Sequence, residues 1–453
     1  GVIVMLKPNI IPDKEPVLYV GIVLPEDRFT NIDIEVPDSP LYKLISGESE
    51  EKRLQKGDRL EFVINHGAIS LVINEQQSIE SATWRIEPVD SKYIVANKTG
   101  LKVKGVITGR GFHWVKNIDV YLPGAIEISV IDSNLVVANE LPIEQYLMCV
   151  TTSEMGAECP PAFVESQTII ARSWMLANIE MKHANIGLDV CNDDCCQRYQ
   201  GTTFLSDEAI RGALNTYGKV LLCDDKICDT RYFKSCGGIT ESFENVFGDE
   251  PISYLKSVVD APGQFQHEAL PLDSEDSVRK WIEDTPESYC STHVVPESEL
   301  IKYLGNVDVE GEYFRWNFRY TQKEITALLN LKMDIDAAAI LAIRPVKRGY
   351  SGRLIKVQVD YRHIDGQQES VIMEDQYVIR QTFHELFLYS SAFVIDIEKG
   401  IEDIPEAFIL KGAGWGHGVG YCQIGALGMS LKGFTAEDIV YHYYPGSKLK
   451  KIY

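Results

Sequence analysis

Hydrophobic and polar positions alternate in short runs through the first ~135 residues, the pattern of strands that bury one face. Runs 60–64 and 69–73 enclose Asn65-His66-Gly67, and runs 125–131 and 135–138 enclose Asp132-Ser133-Asn134. Both read as β-hairpins. The longest clean apolar run, 17–24, reads as another strand and falls short of the ~20 residues that cross a bilayer. The period lengthens after Pro142. A helix is expected over 142–154, with Tyr146, Leu147 and Val150 on one side, because a first-turn proline gives up no hydrogen bond. Pro160-Pro161 open a second expected helix that runs to about His183 and carries Phe163, Val164, Ile170, Trp174, Leu176, Ala177 and Ile179 as its apolar or packing positions. Met155-Gly156-Ala157-Glu158-Cys159 forms a corner between the two.

Strand, turn and strand are expected over 219–235. Residues 266–310 are polar and acidic and read as helix and loop, while 354–359, 371–373 and 393–397 read as strands. The tail turns glycine-rich after Ile409 and ends in a short helix over 436–443. This mixture predicts a multi-domain α+β protein. Its expected parts are a β-rich N-terminal domain over 1–100, a mixed core built from two sequence-distant segments, 101–265 and 406–453, and an inserted α+β domain over 266–405.

Composition mainly excludes. The chain has 453 residues, 45% hydrophobic and 24% charged, which is folded rather than disordered composition. Its formal charge of −22 argues against a nucleic-acid partner, since phosphate contacts need a basic face. Ten cysteines are too sparse for a disulfide scaffold. Cys191, Cys195 and Cys196 nevertheless crowd one loop, with His183 upstream. Three thiols and an imidazole could bind zinc tetrahedrally, or Cys191 could pair with Cys195 or Cys196 in an oxidising compartment. Cys223 and Cys228 flank a turn where a cross-strand disulfide fits equally well.

Three further stretches could carry chemistry. Glu154 ends a helix beside the corner, where the negative end of the dipole favours a protonated carboxyl, the state a general acid needs. The plain alternative is a solvated acidic residue. Gly412 to Gly420 places a glycine at every second position. If this stretch is extended, the glycines line one face and Trp415, His417 and Val419 the other, giving either a tight strand crossing or a floor for a flat ligand. Residues 231–242, RYFKSCGGITES, read as a strand ending in a Gly-Gly turn whose N–H groups could hold a sugar or an oxyanion, or as a turn alone. Cys236 and His417 supply the residue types of a thiol nucleophile and its base.

Taken in order, five of these stretches resemble the stage II sporulation protein D / amidase-enhancer (SpoIID/LytB) family. ELPIEQYL at 140–147 resembles its ELPLEEYL lead-in. Ser153-Glu154-Met155 with Gln167 and Ala171-Arg172-Ser173 resembles its EMP…AQAxAAR(T/S) segment. DVCNDDCCQRYQG at 189–201 resembles DVCDTTHCQVYxG, KSCGGITES at 234–242 resembles SSSGGxTES, and GWGHGVGYCQIGA at 414–426 resembles GWGHGVGMSQYGA. The likeness covers about 109–260 and 411–453.

The resemblance implies an extracytoplasmic protein of the cell wall, its signal already removed. The implied activity is lytic transglycosylation: cleavage of peptidoglycan glycan strands, those lacking stem peptides, to 1,6-anhydro-N-acetylmuramic acid ends. The amidase-enhancer branch implies a second reading, a non-catalytic peptidoglycan-binding activator of a wall amidase, which would then be a partner. By carry-over Glu154 is the catalytic residue, and Arg172, Tyr232, Ser235, Gly237, Trp415, His417 and Gln423 are substrate-binding. His183, Cys191, Cys195 and Cys196 would be the ligands of a structural zinc; the reaction itself requires no cofactor. The chain departs from the family pattern at Gly156 (usually proline), Cys159 (tryptophan), Glu165 (lysine), Cys195 (histidine), and Cys236 and Cys422 (both serine).

Overall fold

The structure, a computed structural model, describes residues 6–8, 10–47, 49–76, 79–112, 114–156, 158–177, 179–248, 250–263, 270–304 and 312–453. The expected Ala157 of the corner lies outside the described residues. The architecture is α+β, as the sequence predicts. The chain divides into two compact units. The first comprises Gly1–Asp229, Lys302–Val307 and Leu449–Tyr453; the second comprises Thr230–Ile301 and Asp308–Lys448. No helix among the described residues is long and apolar enough to cross a membrane.

Two large sheets dominate the first unit, beside a small one of Lys226–Ile227, Lys219–Cys223 and Lys448–Lys451. One runs in the order Val190–Cys191, Val17–Val23, Asn134–Pro142, Ala125–Ile131, Trp84–Pro88, Tyr42–Ser46, Glu51–Arg53. The other runs Lys116–Leu122, Leu101–Thr108, Asn31–Glu35, Arg59–Asn65, Ala68–Ile73, Ile79–Ser81. Both expected hairpins form. His66 and Gly67 take φ of 50° and 85°, and Asp132 and Ser133 take 50° and 63°, the left-handed pairs that two-residue hairpin turns need. Asn134, expected in the turn, instead pairs with Ile131.

The boundary drawn at residue 100 runs through both sheets. Val17–Val23 pairs with Asn134–Pro142, and Asn31–Glu35 pairs with Leu101–Thr108. Strands from both sides of residue 100 also share one core, with Phe62, Ile86, Val103 and Val137 in the same cluster. Neither set could satisfy its backbone or bury its apolar face without the other.

Helices α1 (Ile143–Glu154) and α2 (Pro161–Ala177) press on that core through Tyr146, Leu147, Val150, Ala171 and Met175. Pro142 caps α1, as its fixed φ allows. The helix stops at Met155, which returns to extended backbone while its N–H bonds the Thr151 carbonyl. The expected run of α2 to His183 is cut short at Ala177. Ile179, placed on the helix's apolar side by the pattern, is half exposed, and His183 instead precedes a short 3-10 turn, Ala184–Ile186. A third helix, α3 (Asp207–Asn215), is capped by Ser206.

In the second unit, Ala407–Ala413 lies between Arg315–Thr321 and Phe393–Glu398, antiparallel to both. The expected insertion and the expected core tail therefore share one sheet. The strand Ala407–Ala413 buries most of its residues and needs a neighbour on each edge. Ala337–Arg348, Leu354–His363 and Gln368–Glu374 form another antiparallel sheet, packed with helices Gln322–Met333 and Gln376–Thr382 through Ile325, Leu329 and Ile379. Tyr232–Phe233 pairs in parallel with Tyr421–Cys422.

Candidate functional site

In the first unit, the end of α1 carries Glu154, the expected catalytic residue. Glu154 is half-buried, and its Oε1 accepts a hydrogen bond from the Arg198 backbone N–H at 3.0 Å. A carboxyl held this way can still carry a proton on its other oxygen. Beyond Glu154 the chain is pinned as well: the Gly156 N–H donates to the Tyr303 carbonyl at 2.6 Å, and the Cys159 Sγ lies 3.4 Å from the same oxygen.

Arg198 belongs to the loop that holds the cysteines. Its guanidinium grips Asp194, Nε to Oδ1 at 3.0 Å and Nη2 to Oδ2 at 3.1 Å. The structure brings His183, Cys191, Cys195 and Cys196 together, each offering a ligand atom within 4.8 Å of the others. Cys191 and Cys195 Sγ lie 3.1 Å apart, and Cys195 Sγ lies 3.8 Å from His183 Nε2. Hydrogen bonds from Cys191 and Cys196 pull the Cys195 thiol far below its ordinary range, while the bond to Cys195 pushes the Cys191 thiol up. Three sulfurs and an imidazole supply the donor set of a tetrahedral zinc, with the 3.1 Å Cys191–Cys195 edge shorter than the roughly 3.8 Å between two zinc-bound sulfurs. All ten cysteines are free thiols in this structure. In the 219–235 hairpin, Cys223 sits opposite Lys226 rather than Cys228, so that register does not set the two thiols against each other.

Arg172 is not placed to touch a substrate. It is fully buried, bonded through Nε and Nη2 to Glu144 at 2.9 and 2.6 Å and through Nη1 to the Lys219 carbonyl at 2.9 Å. Tyr453 donates its hydroxyl to the same Glu144 at 2.7 Å. A guanidinium that no solvent reaches holds α2 to α1 and to the following strand.

The remaining predicted residues lie in the second unit. The glycine-rich run is not an extended strand. Gly414, Gly416, Gly418 and Gly420 all take positive φ, between 81° and 109°. Side chains at these positions would be strained and would collide with Ser235, Phe233, Arg353 and Arg231 respectively. The alternation expected to expose a bare face instead winds the chain tightly along 231–236. Ser235 exchanges backbone hydrogen bonds with Trp415, at 3.0 and 2.7 Å, and is fully buried. Gly237 is also buried and gives its carbonyl to Arg315 Nη1 at 2.7 Å. The sequence expected its turn to present N–H groups to a ligand; here the Gly237 N–H donates to the Ser235 hydroxyl at 3.3 Å. Gln423 is buried at the start of the helix Gln423–Leu431, which the sequence pattern did not reveal.

Both ring nitrogens of His417 are committed to backbone. Nε2 donates to the Tyr232 carbonyl at 2.9 Å, and Nδ1 accepts from the Val419 N–H at 3.0 Å. Burial, with Arg231 and Arg380 nearby, pushes its pKa down to about 3. His417 is thus a neutral ring that shapes the loop, packed edge-on to Phe233 and Phe247. The thiol-and-base pairing with Cys236 fails on the same facts: Cys236 is fully buried and contacts Asp260 and Cys290. Trp415 and Tyr232 remain part-exposed. Trp415 stacks on Tyr389 at 4.0 Å between centroids, with Tyr313 at 4.8 Å, so three aromatic rings group at this end of the glycine-rich run.

Sequence reasoning missed Arg198, because the contact comes from its backbone N–H, and Tyr389, because its partner lies 26 residues away. No residue-type signal marks either one.

Comparison with known proteins bears on these placements. Residues 132–222 match the model of the family described as Stage II sporulation protein, a span that includes Glu154 and the four His/Cys residues. Residues 241–420 match a Domain of unknown function (DUF8618). An uncharacterized protein of Brachyspira hyodysenteriae is 25% identical over 78% of this chain and 80% of its own length. Stage II sporulation protein D of Bacillus amyloliquefaciens is 25% identical over 68% of this chain and 73% of its own, and that of Bacillus subtilis is 22% identical over 69% and 75%.

Proposed function

We propose that this chain, a member of the SpoIID family, is a cell-wall lytic transglycosylase with Glu154 as its single general acid and base. A wall-associated, sporulation-related role is the coarse reading that the family supports. The finer reading rests on one observation: a half-buried glutamate at a pinned helix end, its Oε1 fixed by Arg198, inside the SpoIID-matching span.

Most glycosidases need two carboxylates, one of them as nucleophile or base. A lytic transglycosylase needs one, because its substrate brings the nucleophile. Glu154 would give its proton to the glycosidic oxygen as its bond to C1 of N-acetylmuramic acid breaks, and that oxygen would leave as a hydroxyl of the neighbouring sugar. The resulting carboxylate would then take the proton of the N-acetylmuramic acid C6 hydroxyl as the oxygen closes on C1, leaving a 1,6-anhydro end. The fixed Oε1 keeps the carboxyl aimed while its protonation state changes.

His183, Cys191, Cys195 and Cys196 would hold zinc. The metal would supply a cross-link that stiffens the loop and so the Arg198 N–H; the sugar chemistry belongs to Glu154. The substrate would be glycan strands outside the cytoplasmic membrane, in the periplasm, envelope or secreted space. Incubation with amidase-stripped glycan should release 1,6-anhydro products seen by mass spectrometry, and Glu154→Gln should abolish them. Equal product from wild type and variant, or sacculus binding without any product, would count against the transglycosylase; the latter would instead mark a binding activator of an amidase.

A further inference from the structure

A second set of metal-ligand side chains lies wholly inside the second unit and outside the span matched to the SpoIID model. Cys236, Asp260, Cys290 and Cys422 are all buried, and their ligand atoms lie within 4.8 Å of one another. Cys236 Sγ is 3.7 Å from Cys290 Sγ and 3.3 Å from Asp260 Oδ2. A zinc ion with Zn–S of about 2.3 Å and Zn–O of about 2.1 Å has tetrahedral edges of roughly 3.8 Å between sulfurs and roughly 3.6 Å between sulfur and oxygen. The spacing is that of one ion.

The surroundings suit thiolates. The Gly238 N–H donates to Cys236 Sγ at 3.3 Å, and the Cys236 and Gly425 N–H groups donate to Cys422 Sγ at 3.2 and 3.3 Å. Cys422 caps the helix Gln423–Leu431, whose N-terminus favours negative charge. Asp260 is oriented from behind: its Oδ1 accepts from His442 Nε2 and from the Tyr443 hydroxyl, each at 2.8 Å, which leaves Oδ2 toward the sulfurs.

Charge is offset as well. Zinc with three thiolates and a carboxylate sums to −2 (2 − 3 − 1). Two guanidiniums, the fully buried Arg353 and the part-buried Arg315, stand beside it, and neither makes a carboxylate ion pair within 4.0 Å among the described residues. Arg315 bonds the Gly237 carbonyl and Arg353 the Cys236 carbonyl, at 2.7 and 3.2 Å. Arg353 also faces Glu241, and its Nε is buried without a hydrogen-bond partner among the described residues. Negative charge on the sulfurs would add to Glu241 in offsetting these cations.

Finally, the departures from the resembled motifs converge. Cys236 and Cys422 stand where those motifs carry serine, and the third sulfur, Cys290, comes from the stretch that the resemblance does not cover. Two serine-to-cysteine differences, 186 positions apart (422 − 236), meet at one point with it.

We propose that Cys236, Asp260, Cys290 and Cys422 form a second zinc site, a closed and structural one. All four positions come from protein, leaving none open for water or substrate. The ion ties the KSCGG turn, the start of the helix Gln423–Leu431, and the segments bearing Asp260 and Cys290 into one knot.

The test starts from a Cys191→Ser/Cys195→Ser background, which removes the first cluster. Purified with zinc under reducing conditions, it should hold one zinc per chain by mass spectrometry of the metal. X-ray absorption should show three sulfurs at about 2.3 Å and one oxygen at about 2.0–2.2 Å. Adding Cys422→Ser, which restores the motif's serine, should lose that whole equivalent. A background protein without zinc, or zinc undiminished by Cys422→Ser, overturns the site. So does a Cys236–Cys290 disulfide mapped in the unaltered chain freshly isolated under non-reducing conditions. If Cys422→Ser fails to fold, the metal content and ligand shell of the background protein decide alone. None of these readouts depends on glycan cleavage.

Discussion

Two cysteine clusters of nearly the same composition occupy the two units, and they are built in opposite ways. The first draws its four ligands from one stretch, 183–196, and leaves Cys195 exposed. The second draws them from four separate segments between 236 and 422 and buries every one. A cluster made from one loop can only shape that loop. A cluster made from distant segments holds a fold together. On this view the first serves Glu154, through Arg198, and the second serves the turn and glycine-rich run around His417.

The hardest test of that division is at Glu154. Glu154→Gln keeps an acceptor for the Arg198 N–H but cannot exchange a proton. Release of anhydro products should fall by about 10²–10⁴-fold, the usual worth of a general acid, with an unchanged circular dichroism spectrum. A loss of the same size from changing the second cluster, in protein with an unchanged spectrum, would erase the contrast.

Arg172 comes next, because family likeness and structure give it different work. Arg172→Met strands Glu144 as a buried charge and should cost about 3–5 kcal/mol in urea unfolding. Much of that should return in the Arg172→Met/Glu144→Gln double variant. An Arg172→Met protein of wild-type stability that had lost substrate affinity would restore the binding role.

Cys195→Ser should reduce zinc content and slow product release by about 10–100-fold, the range seen when groups that orient a metal site or its neighbours are removed. Glu154 chemistry unaffected by a zinc-free loop would disconnect the first cluster from the site.

The smallest effect, read per pH unit, is expected at His417. Its folded pKa, about 3, lies below the unfolded value near 6.5. Between those values the unfolded chain binds the extra proton, so this residue's contribution is present above pH 6.5 and is lost as pH falls toward 3. The slope is at most about 1.4 kcal/mol per pH unit. Thermal midpoints measured from pH 7 to pH 4 should therefore fall less steeply in His417→Gln than in wild type, since carboxylates contribute the same background to both. Parallel curves would show that the ring is freer than its two backbone bonds imply.

Local signals were legible in the sequence. Hairpin turns at His66-Gly67 and Asp132-Ser133, the proline that starts α1, and the thiols of 191–196 are each encoded within a few residues, and each forms. What depended on distant partners was not legible. The pattern at 1–100 has no way to announce that Val17–Val23 pairs with Asn134–Pro142. Alternating glycines fit both an extended face and a left-handed winding, and only the walls at Arg231, Phe233, Ser235 and Arg353 select the second. The same blindness hid Cys290, a single thiol in a polar stretch, until folding set it beside Cys236.

Residues 449–453 belong to the first unit, where the Ile452 N–H meets the Gly218 carbonyl and Tyr453 reaches Glu144. A chain emerging from the ribosome makes the rest of that unit's sheets and helices long before these residues exist. Glu144 and Arg172 must wait through the synthesis of more than two hundred intervening residues for their last neighbour. The unit that carries Glu154 is thus closed late, and vectorial translation alone delays its completion until the second unit's sequence has been made.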